Sequence, residues 1–393
     1  MKSLDCLLLV SLLPILFISV SGAEFPVPET PLEFSTGVAL YKIDEITIDG
    51  RGDEESWKRI EWSEPFVDIR GYDYQPAPWY ETRIKMMWDE DYFYILAWLE
   101  EPHLWATYDQ HDMVIFHEND FEVFIDPDGD NHNYLELEIN ALGTTWDLML
   151  TKPYRDNGHA IDSWEIPGLK SGIFLDGTLN DPSDIDKGWG VELAIPWEVI
   201  IEVDSRSPIP IASWVEELHV NFSRVQWQLD IDSRNSTYMK KWDLNLGHPL
   251  PENNWVWSPQ GLIAMHYPER WGRVRFSYNP EELDVPFWGT ESDTLKECVM
   301  SCYYAQKQFY EDHLLYAKEV SLLELPEQSP HPGIEWPPEL ITAGGGYLIT
   351  VYNSNQIYGM QVREDGLLTY VRHYNFGERQ YKGEKKHELE NLD

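Results

Sequence analysis

The stretch FEVFIDPDGDNHNYLELEINALGTTWDL, residues 121–148, decides the fold. Apolar and polar side chains alternate in it twice, from Phe121 to Asp126 and again from Leu135 to Asn140. A period of two places successive side chains on opposite faces of a strand, so both runs predict strands with one buried face. The intervening DPDGDNH cannot continue a strand and offers three carboxylates at alternate positions. The stretch therefore predicts an antiparallel strand pair joined by an oxygen-rich loop.

Strand signals recur through the first two thirds of the chain. Thr82–Trp88 and Trp189–Ile195 alternate between apolar and polar residues, and Tyr92–Leu99 is a nearly continuous apolar and aromatic run. Turns rich in Gly, Pro and Asp separate these runs. Many short strands of this kind predict a mainly β fold, a two-sheet antiparallel β-sandwich of the jelly-roll kind, over residues 38–282.

The pattern changes near Pro280. Apolar side chains repeat at helical spacing from about Ser292, and the helix could extend to Leu325. Later runs predict strands at 347–352, 356–363 and 367–373, the last two joined as a hairpin. We expect residues 283–376 to form a smaller α+β appendage, followed by a charged tail at 377–393. Because the apolar face of the helix is too large to leave in water, helix and hairpin should pack on each other or on the sandwich.

Residues 1–23 predict a secretory signal that is cleaved after Ala23, because one Lys precedes an apolar run and small residues follow it. An uncleaved membrane anchor is the alternative, but Pro14 interrupts the run, which is short for a membrane span. No later segment of the sequence is long and apolar enough to cross a membrane. The Pro-rich residues 24–37 predict a linker. We therefore expect a secreted, extracellular protein, periplasmic or on the cell surface if the source is bacterial.

The net charge of −40 argues against nucleic acids and anionic membrane surfaces as partners. The 18 Trp and 22 Tyr exceed what a core needs and suit stacking against sugar rings. Beyond the signal, the only cysteines are Cys298 and Cys302, one helical turn apart. That spacing separates Cβ atoms by ~5–6 Å, whereas a disulfide requires ~3.8 Å, so two free, buried thiols are expected. The lack of paired Cys or clustered His argues against zinc.

The loop carboxylates Asp126, Asp128 and Asp130 resemble the first half of a calcium loop. Hard cations prefer several oxygen ligands, and Gly129 permits the turn that brings alternate positions together. The bidentate Glu of a full EF-hand loop is absent from its usual offset. The sequence predicts calcium as a cofactor with these three ligands, and an acidic solvated turn is the alternative.

Seven motifs follow one another between residues 46 and 276: IDGRGDEESW, WDEDYFYILAWLEEP, NDFEVFIDPDGD, LEINALGTTWD, GWGVELAIPW, VNFSRVQ and RWGRVRF. In this order they resemble carbohydrate-binding module family 9 and its many secreted relatives. The resemblance implies a two-sheet antiparallel sandwich, structural calcium and, in some members, binding of glycan chain ends by a pair of tryptophans. The expected partner is a polysaccharide or oligosaccharide, with glycan-degrading enzymes as further partners.

The resemblance also assigns site residues. The family's first clamp tryptophan corresponds to a position near Phe116, and the strand carboxylate that bonds sugar hydroxyls corresponds to Glu122. The family's basic residue on the next strand falls near Glu138, which is acidic here. Asn140 follows two positions on. These four residues are the first part of the predicted ligand-binding site.

The second clamp tryptophan should lie around Met265–His266, where this chain has none. Trp257 and Trp271 are the candidates to replace it. Trp146 is a further stacking candidate because it lies among polar residues. The same holds for Trp164, Trp227 and Trp255, whereas Trp57, Trp88, Trp189 and Trp197 lie in motifs typical of the core. Sugar selectivity requires polar groups around an apolar platform; Glu122, Glu136 and Asn140 would supply them unless they face solvent.

These inferences predict a secreted, non-catalytic carbohydrate-binding protein. A glycoside hydrolase with paired carboxylates is the alternative, although 69 Asp and Glu residues give no reason to select one pair. The sequence lacks a Gly-x-Ser-x-Gly elbow and a phosphate-binding glycine loop. A haem-binding sandwich is the third hypothesis, and no spacing selects a ligand pair among Met86, Met87, His111, His117 and Met265.

Overall fold

The computed structural model describes residues 25–206, 217–282 and 290–372. The predicted signal peptide and charged tail lie outside the described residues, as does the predicted start of the appendage. Within those three ranges, no helix combines the length and the apolar character that a membrane span requires.

Strands form most of the regular structure before residue 282. They are β1 (Thr36–Tyr41), β2 (Val67–Asp68), β3 (Thr82–Trp88), β4 (Tyr92–Glu100), β5 (Asp120–Asp126), β6 (Tyr134–Asn140), β7 (Thr145–Leu150), β8 (Ala160–Ile161), β9 (Lys170–Asp176), β10 (Gly188–Pro196), β11 (Glu217–Gln226), β12 (Leu229–Asp232), β13 (Thr237–Lys240), β14 (Trp242–Asp243), β15 (His248–Pro249), β16 (Asn253–Val256) and β17 (Gly272–Ser277). Two short helices accompany them, α1 (Glu55–Lys58) and α2 (Trp197–Glu202).

The main ladder has the strand order β8-β7-β6-β5-β11-β17-β1-β3-β4-β10-β9, and β16 joins β11 to β2. Its pairs are antiparallel except those of β1, which pairs in parallel with both β17 and β3. The sheet curls so that Val123 and Leu137 from one half share a core with Ile95 and Leu193 from the other. The predicted mainly β sandwich is confirmed.

Both predicted alternating runs place their apolar residues in this core. Phe121, Val123 and Ile125 of β5 are fully buried there, as are Leu135, Leu137 and Ile139 of β6. The tryptophans expected in the core are also buried, namely Trp57, Trp88, Trp189 and Trp197. The polar face of β5 and β6 differs from the half-exposed strand that the sequence predicts, because every residue of both strands is buried.

The appendage consists of α3 (Glu291–His313) and a sheet of β18 (Glu339–Ala343), β19 (Gly346–Tyr352), β20 (Tyr358–Arg363) and β21 (Leu368–Arg372). Helix α3 begins with a capping box between Thr290 and Asp293. It ends well before Leu325, because Leu314 takes the left-handed conformation with φ 57°. Strand β18 was not predicted. Cys298 and Cys302 are free and buried, as expected.

The appendage and the sandwich meet through a buried polar network. The Tyr303 hydroxyl donates to Asp156 Oδ2 at 2.7 Å, and the Tyr304 hydroxyl donates to Glu269 Oε1 at 2.5 Å. Arg155 Nη2 pairs with Glu269 Oε2 at 2.8 Å. A buried charge is costly unless it is paired and hydrogen-bonded. Each side of this interface therefore supplies partners that the other side needs.

The predicted linker is packed rather than free. Phe25 belongs to the apolar core of the appendage, and its N–H donates to Gln308 Oε1 at 3.0 Å. Arg270 Nη2 donates to the carbonyl oxygen of Pro31 at 2.6 Å. Strand β1 begins at Thr36, inside the segment that composition assigned to the linker. The segment before β1 thus runs along the contact between the two parts of the chain.

Candidate functional site

One row of side chains crosses four strands on the outer face of the sandwich, away from the inter-sheet core. The register places Glu122 of β5 opposite Glu138 of β6, and Glu138 opposite Trp146 of β7. On its other side, Glu122 is opposite Ser223 of β11. Directly opposed residues of an antiparallel pair project to the same face. Trp146, Glu138, Glu122 and Ser223 are therefore neighbours.

A cavity of about 410 Å³ lies over this row. Its lining includes Glu122, Glu136 and Glu138 together with aromatic rings. The rings of Phe116 and Trp146 are inclined by 29° with their centroids 6.3 Å apart. Both rings are only partly buried. The cavity thus combines flat apolar surface with carboxylate oxygens.

Four of the seven predicted ligand-binding residues line this cavity: Phe116, Glu122, Glu138 and Trp146. Asn140 does not, although it follows on the same strand face. Its Nδ2 donates to the Tyr108 carbonyl oxygen at 2.8 Å, and its Oδ1 accepts from the N–H groups of Leu142 and Thr144 at 3.0 and 3.1 Å. The side chain is fully buried and holds the turn between β6 and β7, so it does not face a ligand in the cavity.

The structure does not bring the two replacement clamp tryptophans to the cavity lining. Trp271 is 1% exposed, packs against Phe124 and Tyr134, and donates from Nε1 to the Met265 carbonyl oxygen at 2.8 Å. Trp257 lies in the inter-sheet core against Phe222. Both rings fill volume that the sandwich must exclude from water, so neither offers a face for stacking.

The other stacking candidates also lie elsewhere. Trp255 is buried against Trp79, with ring centroids 4.8 Å apart. Trp164 packs against the main core. Trp227 lines a second cavity of about 280 Å³ beside Trp79, and its ring is covered by the Lys240 ammonium group at 3.2 Å from the centroid.

The first cavity has an unusual charge distribution. Burial raises the pKa of Glu122 to about 7, and the nearby Ser223 hydroxyl offsets part of this rise. Burial, followed by the charge of Glu122, raises the pKa values of Asp120 and Glu136 well above their ordinary range. Burial and the charge of Asp120 do the same to the pKa of Glu138. The neighbouring charges that raise these pKa values are all carboxylates.

Three of these acids form a compact cluster, which we call the strand group: Asp120, Glu122 and Glu138. One oxygen from each lies within 4.8 Å of the other two. Asp120 Oδ1 accepts from the Val225 N–H at 3.2 Å, and Glu138 Oε2 accepts from the Phe116 N–H at 2.8 Å. Asp120 Oδ2 and Glu122 Oε2 are buried and find no hydrogen-bond partner in the described ranges.

The Ser223 hydroxyl is a fourth oxygen next to the strand group. Ser223 is fully buried, and although its hydroxyl approaches Glu122, the oxygen completes no hydrogen bond with any described residue. Neither Asp120 nor Ser223 was among the predicted site residues. The signal for Asp120 was present, because the alternation of β5 places it on the same face as Glu122. Ser223 carried no such signal, since only strand pairing brings it there.

A second acidic cluster, which we call the loop group, contains Asp126, Asp128 and Asp130. One oxygen from each lies within 4.8 Å of the others. Asp126 accepts from the N–H groups of Gly129 at 3.0 Å and Asn131 at 2.9 Å, and Gly129 has a φ of 69°. Burial raises the pKa of Asp126 well above its usual range and that of Asp130 to about 7. Asp128 Oδ1 has no hydrogen-bond partner among the described residues.

The appendage covers the loop group. Lys296 Nζ of α3 donates to the Gly129 carbonyl oxygen at 3.2 Å, and burial followed by the charge of Arg273 lowers the pKa of Lys296 to about 8. The Leu368 N–H of β21 donates to the Asp130 carbonyl oxygen at 3.0 Å. The donor set of the loop consists of oxygens, which suits a hard cation. The Lys296 charge acts against such a cation.

A third cluster surrounds His111. Its Nε2 lies 3.0 Å from Glu165, 3.3 Å from Asp112 and 3.6 Å from Asp147. The hydrogen bond that His111 Nε2 donates to Glu165 is the main cause that raises the pKa of His111. The His111 imidazole is exposed, and the carboxylates around it already act as its partners. Of the proposed haem ligands, Met86 and Met87 lie in separate apolar cores, so they cannot converge on one ligand.

Comparisons with known proteins agree with the resemblance to carbohydrate-binding module family 9. Residues 48–238 match the sequence model of the family described as carbohydrate family 9 binding domain-like. A search of curated proteins found no match. This range contains β5, β6, β7 and β11, which carry the row of side chains under the cavity.

Solved structures with a similar arrangement include two of a carbohydrate binding module family 9 from Caldicellulosiruptor kristjanssonii. The one in complex with glucose has 16% identity and a TM-score of 0.38, and the match covers 62% of this chain and 97% of that chain. The one in complex with cellotriose has 15% identity and a TM-score of 0.36, with 65% and 100% covered. A putative carbohydrate-binding protein from Bacteroides uniformis ATCC 8492 has 16% identity and a TM-score of 0.43, with 62% and 99% covered.

Proposed function

We propose that this chain, whose residues 48–238 form a carbohydrate-binding module family 9-like domain, binds carbohydrate in the cavity over β5, β6 and β7. In this proposal the protein is secreted, does not catalyse a reaction, and serves the capture or breakdown of polysaccharide. The bound ligand is a polysaccharide or oligosaccharide, and glycan-degrading enzymes act on the captured chain.

The observation that carries the proposal is the combination of rings and acids in one cavity. Phe116 and Trp146 present partly exposed flat surfaces, on which the C–H face of a sugar ring packs. Glu122 and Glu138 lie next to them and accept hydrogen bonds from sugar hydroxyls. The volume of about 410 Å³ falls within the ~300–1,000 Å³ that small-ligand sites occupy.

A glycan array probed with the folded full chain in calcium tests this function. Binding to at least one plant, algal or host glycan is the expected result. A folded protein that binds none of them would overturn the proposal. Circular dichroism and a cooperative melt establish that the sample is folded.

A point variant locates the site once a glycan is known. Trp146→Ala should weaken binding by about 1–3 kcal/mol, because a stacked aromatic residue is a typical binding hot spot. Trp62→Ala is the matched control, since Trp62 is partly exposed but does not line the cavity. Equal affinities of the two variants would place the glycan elsewhere.

Calcium enters the proposal as a structural ion in the loop group. Three carboxylate oxygens converge there, and Asp128 Oδ1 is a buried oxygen with no described partner, which is the donor set that calcium prefers. The ion would neutralise Asp126, Asp128 and Asp130 and fix the turn after β5. The glycan cavity is lined by Glu122 and Phe124 of that strand and by none of the three loop acids, so the ion would support its frame without touching the ligand.

A glycoside hydrolase is the second candidate, favoured by one specific observation. The nearest oxygens of Glu122 and Glu138 lie within 4.8 Å, and retaining hydrolases place their two carboxyl groups about 5–5.5 Å apart. Burial also raises the pKa of Glu122 to about 7, as a general acid requires. Release of reducing sugar from a bound glycan, lost in Glu122→Gln, would select this candidate.

A further inference from the structure

We propose that Asp120, Glu122 and Glu138, the strand group, hold a divalent cation of the calcium class at the floor of the glycan cavity. This site is separate from the loop group, because Asp120 is the first residue of β5 and Asp126 the last. The metal site stands on the geometry of the carboxylates. Only its contact with a glycan rests on the proposed function.

The strand ladder forces the three oxygens together. Glu122 and Glu138 are directly opposed across the β5–β6 pair, and Asp120 precedes Glu122 by two residues on the same face. Backbone N–H groups occupy one oxygen each of Asp120 and Glu138. One oxygen of each acid lies within 4.8 Å of the other two, and a calcium ion bound between them would sit about 2.3–2.6 Å from each.

A second observation points to a ligand at this position. Ser223 is opposite Glu122 on the neighbouring strand, its hydroxyl is fully buried, and that oxygen lacks a hydrogen-bond partner among the residues described. Asp120 Oδ2 and Glu122 Oε2 lack one as well. Buried polar atoms in folded proteins are nearly always partnered. A cation coordinated by these oxygens would explain together why three neighbouring residues each leave a buried oxygen without a partner.

The charge of the cavity favours the same conclusion. Burying like charges opposite each other in a sheet destabilises it unless something neutralises them. The ion pairs formed by described Lys and Arg residues do not include any member of the strand group; the buried Arg224 of β11, for example, pairs with Glu101. A divalent cation supplies the missing positive charge.

The cation would also contribute to ligand recognition. Calcium takes 6–8 oxygen ligands, more than the four that the strand group and Ser223 provide. Glu122 and Glu138 line the cavity, so the remaining coordination positions face it. In the proposed function, vicinal hydroxyl or carboxylate oxygens of a sugar fill these positions and replace water.

Calcium binding to the metal-free full chain tests the site without any glycan. Isothermal titration calorimetry or equilibrium dialysis at pH 7.5 should give one bound calcium ion fewer for Asp120→Asn and for Glu138→Gln than for the wild type. Both substitutions keep an oxygen that can accept the existing backbone hydrogen bond, so both variants should fold. Glu136→Gln is the matched control, since it removes a carboxylate from the same cavity but not from the strand group. Identical stoichiometry in all four proteins would overturn the site.

The glycan contact is tested with Asp120→Asn, because Asp120 does not line the cavity. With a glycan found on the array, this variant should bind about tenfold more weakly in calcium than the wild type. An unchanged affinity together with the loss of one calcium ion would refute the contact while the metal site stands. Glycan binding without any extra calcium would refute the inference and leave the proposed function intact. A calcium ion bound by the strand group in a protein that binds no glycan would support the metal site and refute the proposed function.

Discussion

Strand β5 begins at one group of three carboxylates and ends at another, and the two groups are held in different ways. The loop group follows a turn whose own N–H groups, from Gly129, Asn131 and His132, point back at the carboxylates. The strand group lies within a ladder, where pairing between strands uses most of the backbone N–H groups. Its acids therefore have mainly one another as neighbours. The same alternate spacing of acids thus gives a largely satisfied cluster in a turn and an unsatisfied one on strands.

The two groups also differ in the positive charge next to them. The appendage delivers the Lys296 ammonium group to the loop group, with its Nζ 3.2 Å from the Gly129 carbonyl oxygen. The strand group has aromatic rings and a cavity above it instead. Removing a carboxylate should therefore change stability in opposite directions at the two places.

The largest effect is expected at the loop group. Calcium should raise the stability of the wild type by a few kcal/mol at saturating metal, roughly 3 kcal/mol at one hundred times the dissociation constant. Asp128→Ala should lose most of this gain, because it removes one of three converging ligands. Thermal melts in calcium and in chelator measure the difference, with the exposed Asp73→Ala as control. A melting temperature that chelator leaves unchanged would show that the loop is only a turn.

At the strand group, removing a carboxylate is expected to increase the free energy of unfolding rather than to decrease it. In chelator at pH 8, Glu138→Gln should stabilise the protein by about 1 kcal/mol, because it removes one of two like charges that oppose each other across strands. Urea unfolding gives the free energy. Glu192→Gln is the matched control. Glu192 is also buried, but both of its oxygens accept, Oε1 from Trp57 Nε1 at 2.8 Å and Oε2 from the Asp49 and Gly50 N–H groups at 3.1 Å, so replacing one oxygen by an amide NH₂ should destabilise. A destabilised Glu138→Gln would mean that this carboxylate is already neutralised within the protein.

A smaller effect is expected from Lys296→Met. The substitution removes a positive charge beside the loop group and should increase the calcium affinity of that group several-fold, a change on the order of 1 kcal/mol. It should not change calcium binding by the strand group. A calcium titration in the Glu138→Gln background measures the loop group alone, and the exposed Lys318→Met serves as control. Weaker calcium binding would indicate that Lys296 positions the loop rather than opposing the ion.

The smallest effect concerns pH and the cavity wall. Burial, followed by the charge of Arg155, lowers the pKa of His266 to about 3. Below pH ~6.5 the unfolded imidazole binds a proton that the folded one excludes, so this stability is present above pH ~6.5 and declines as the pH falls toward 3. His266→Gln should lessen the decline by on the order of 1 kcal/mol at pH 5. Melts from pH 7 to 4.5 measure it against exposed His159→Gln; parallel curves would contradict it.

Much of the sandwich could be predicted because its signal is local. Phe121, Val123 and Ile125 alternate with polar residues, and the side-chain period of a strand alone sends them to one face. The helix of the appendage was predicted for the same reason, from apolar side chains at helical spacing. Its end was not, since the left-handed conformation of Leu314 has no signature in a sequence that continues with apolar residues.

The candidate site was only partly predictable because burial on its outer face comes from distant segments. Residues 263–266, which line the cavity, are far in sequence from β5. Trp146 and Trp271 are chemically the same ring, yet one borders the cavity and the other fills the core against Phe124. Ser223 became a neighbour of Glu122 only through the β5–β11 register. Local sequence patterns thus predict which side chains share one face of a strand, whereas pairing between distant strands determines which residues that face contacts.

The hydrogen bonds between the loop after β5 and the appendage limit how the sandwich can be expressed without the rest of the chain. The backbone oxygens of Asp130 and Gly366 take part in these bonds, and Asp156 is fully enclosed by partners that include Tyr303 and Lys307. An expression fragment that stops at residue 282 would discard these partners and expose the surface they cover. We therefore do not expect the sandwich to fold as an independent domain that could be fused to another protein without the appendage. A useful fusion must carry the appendage together with the sandwich.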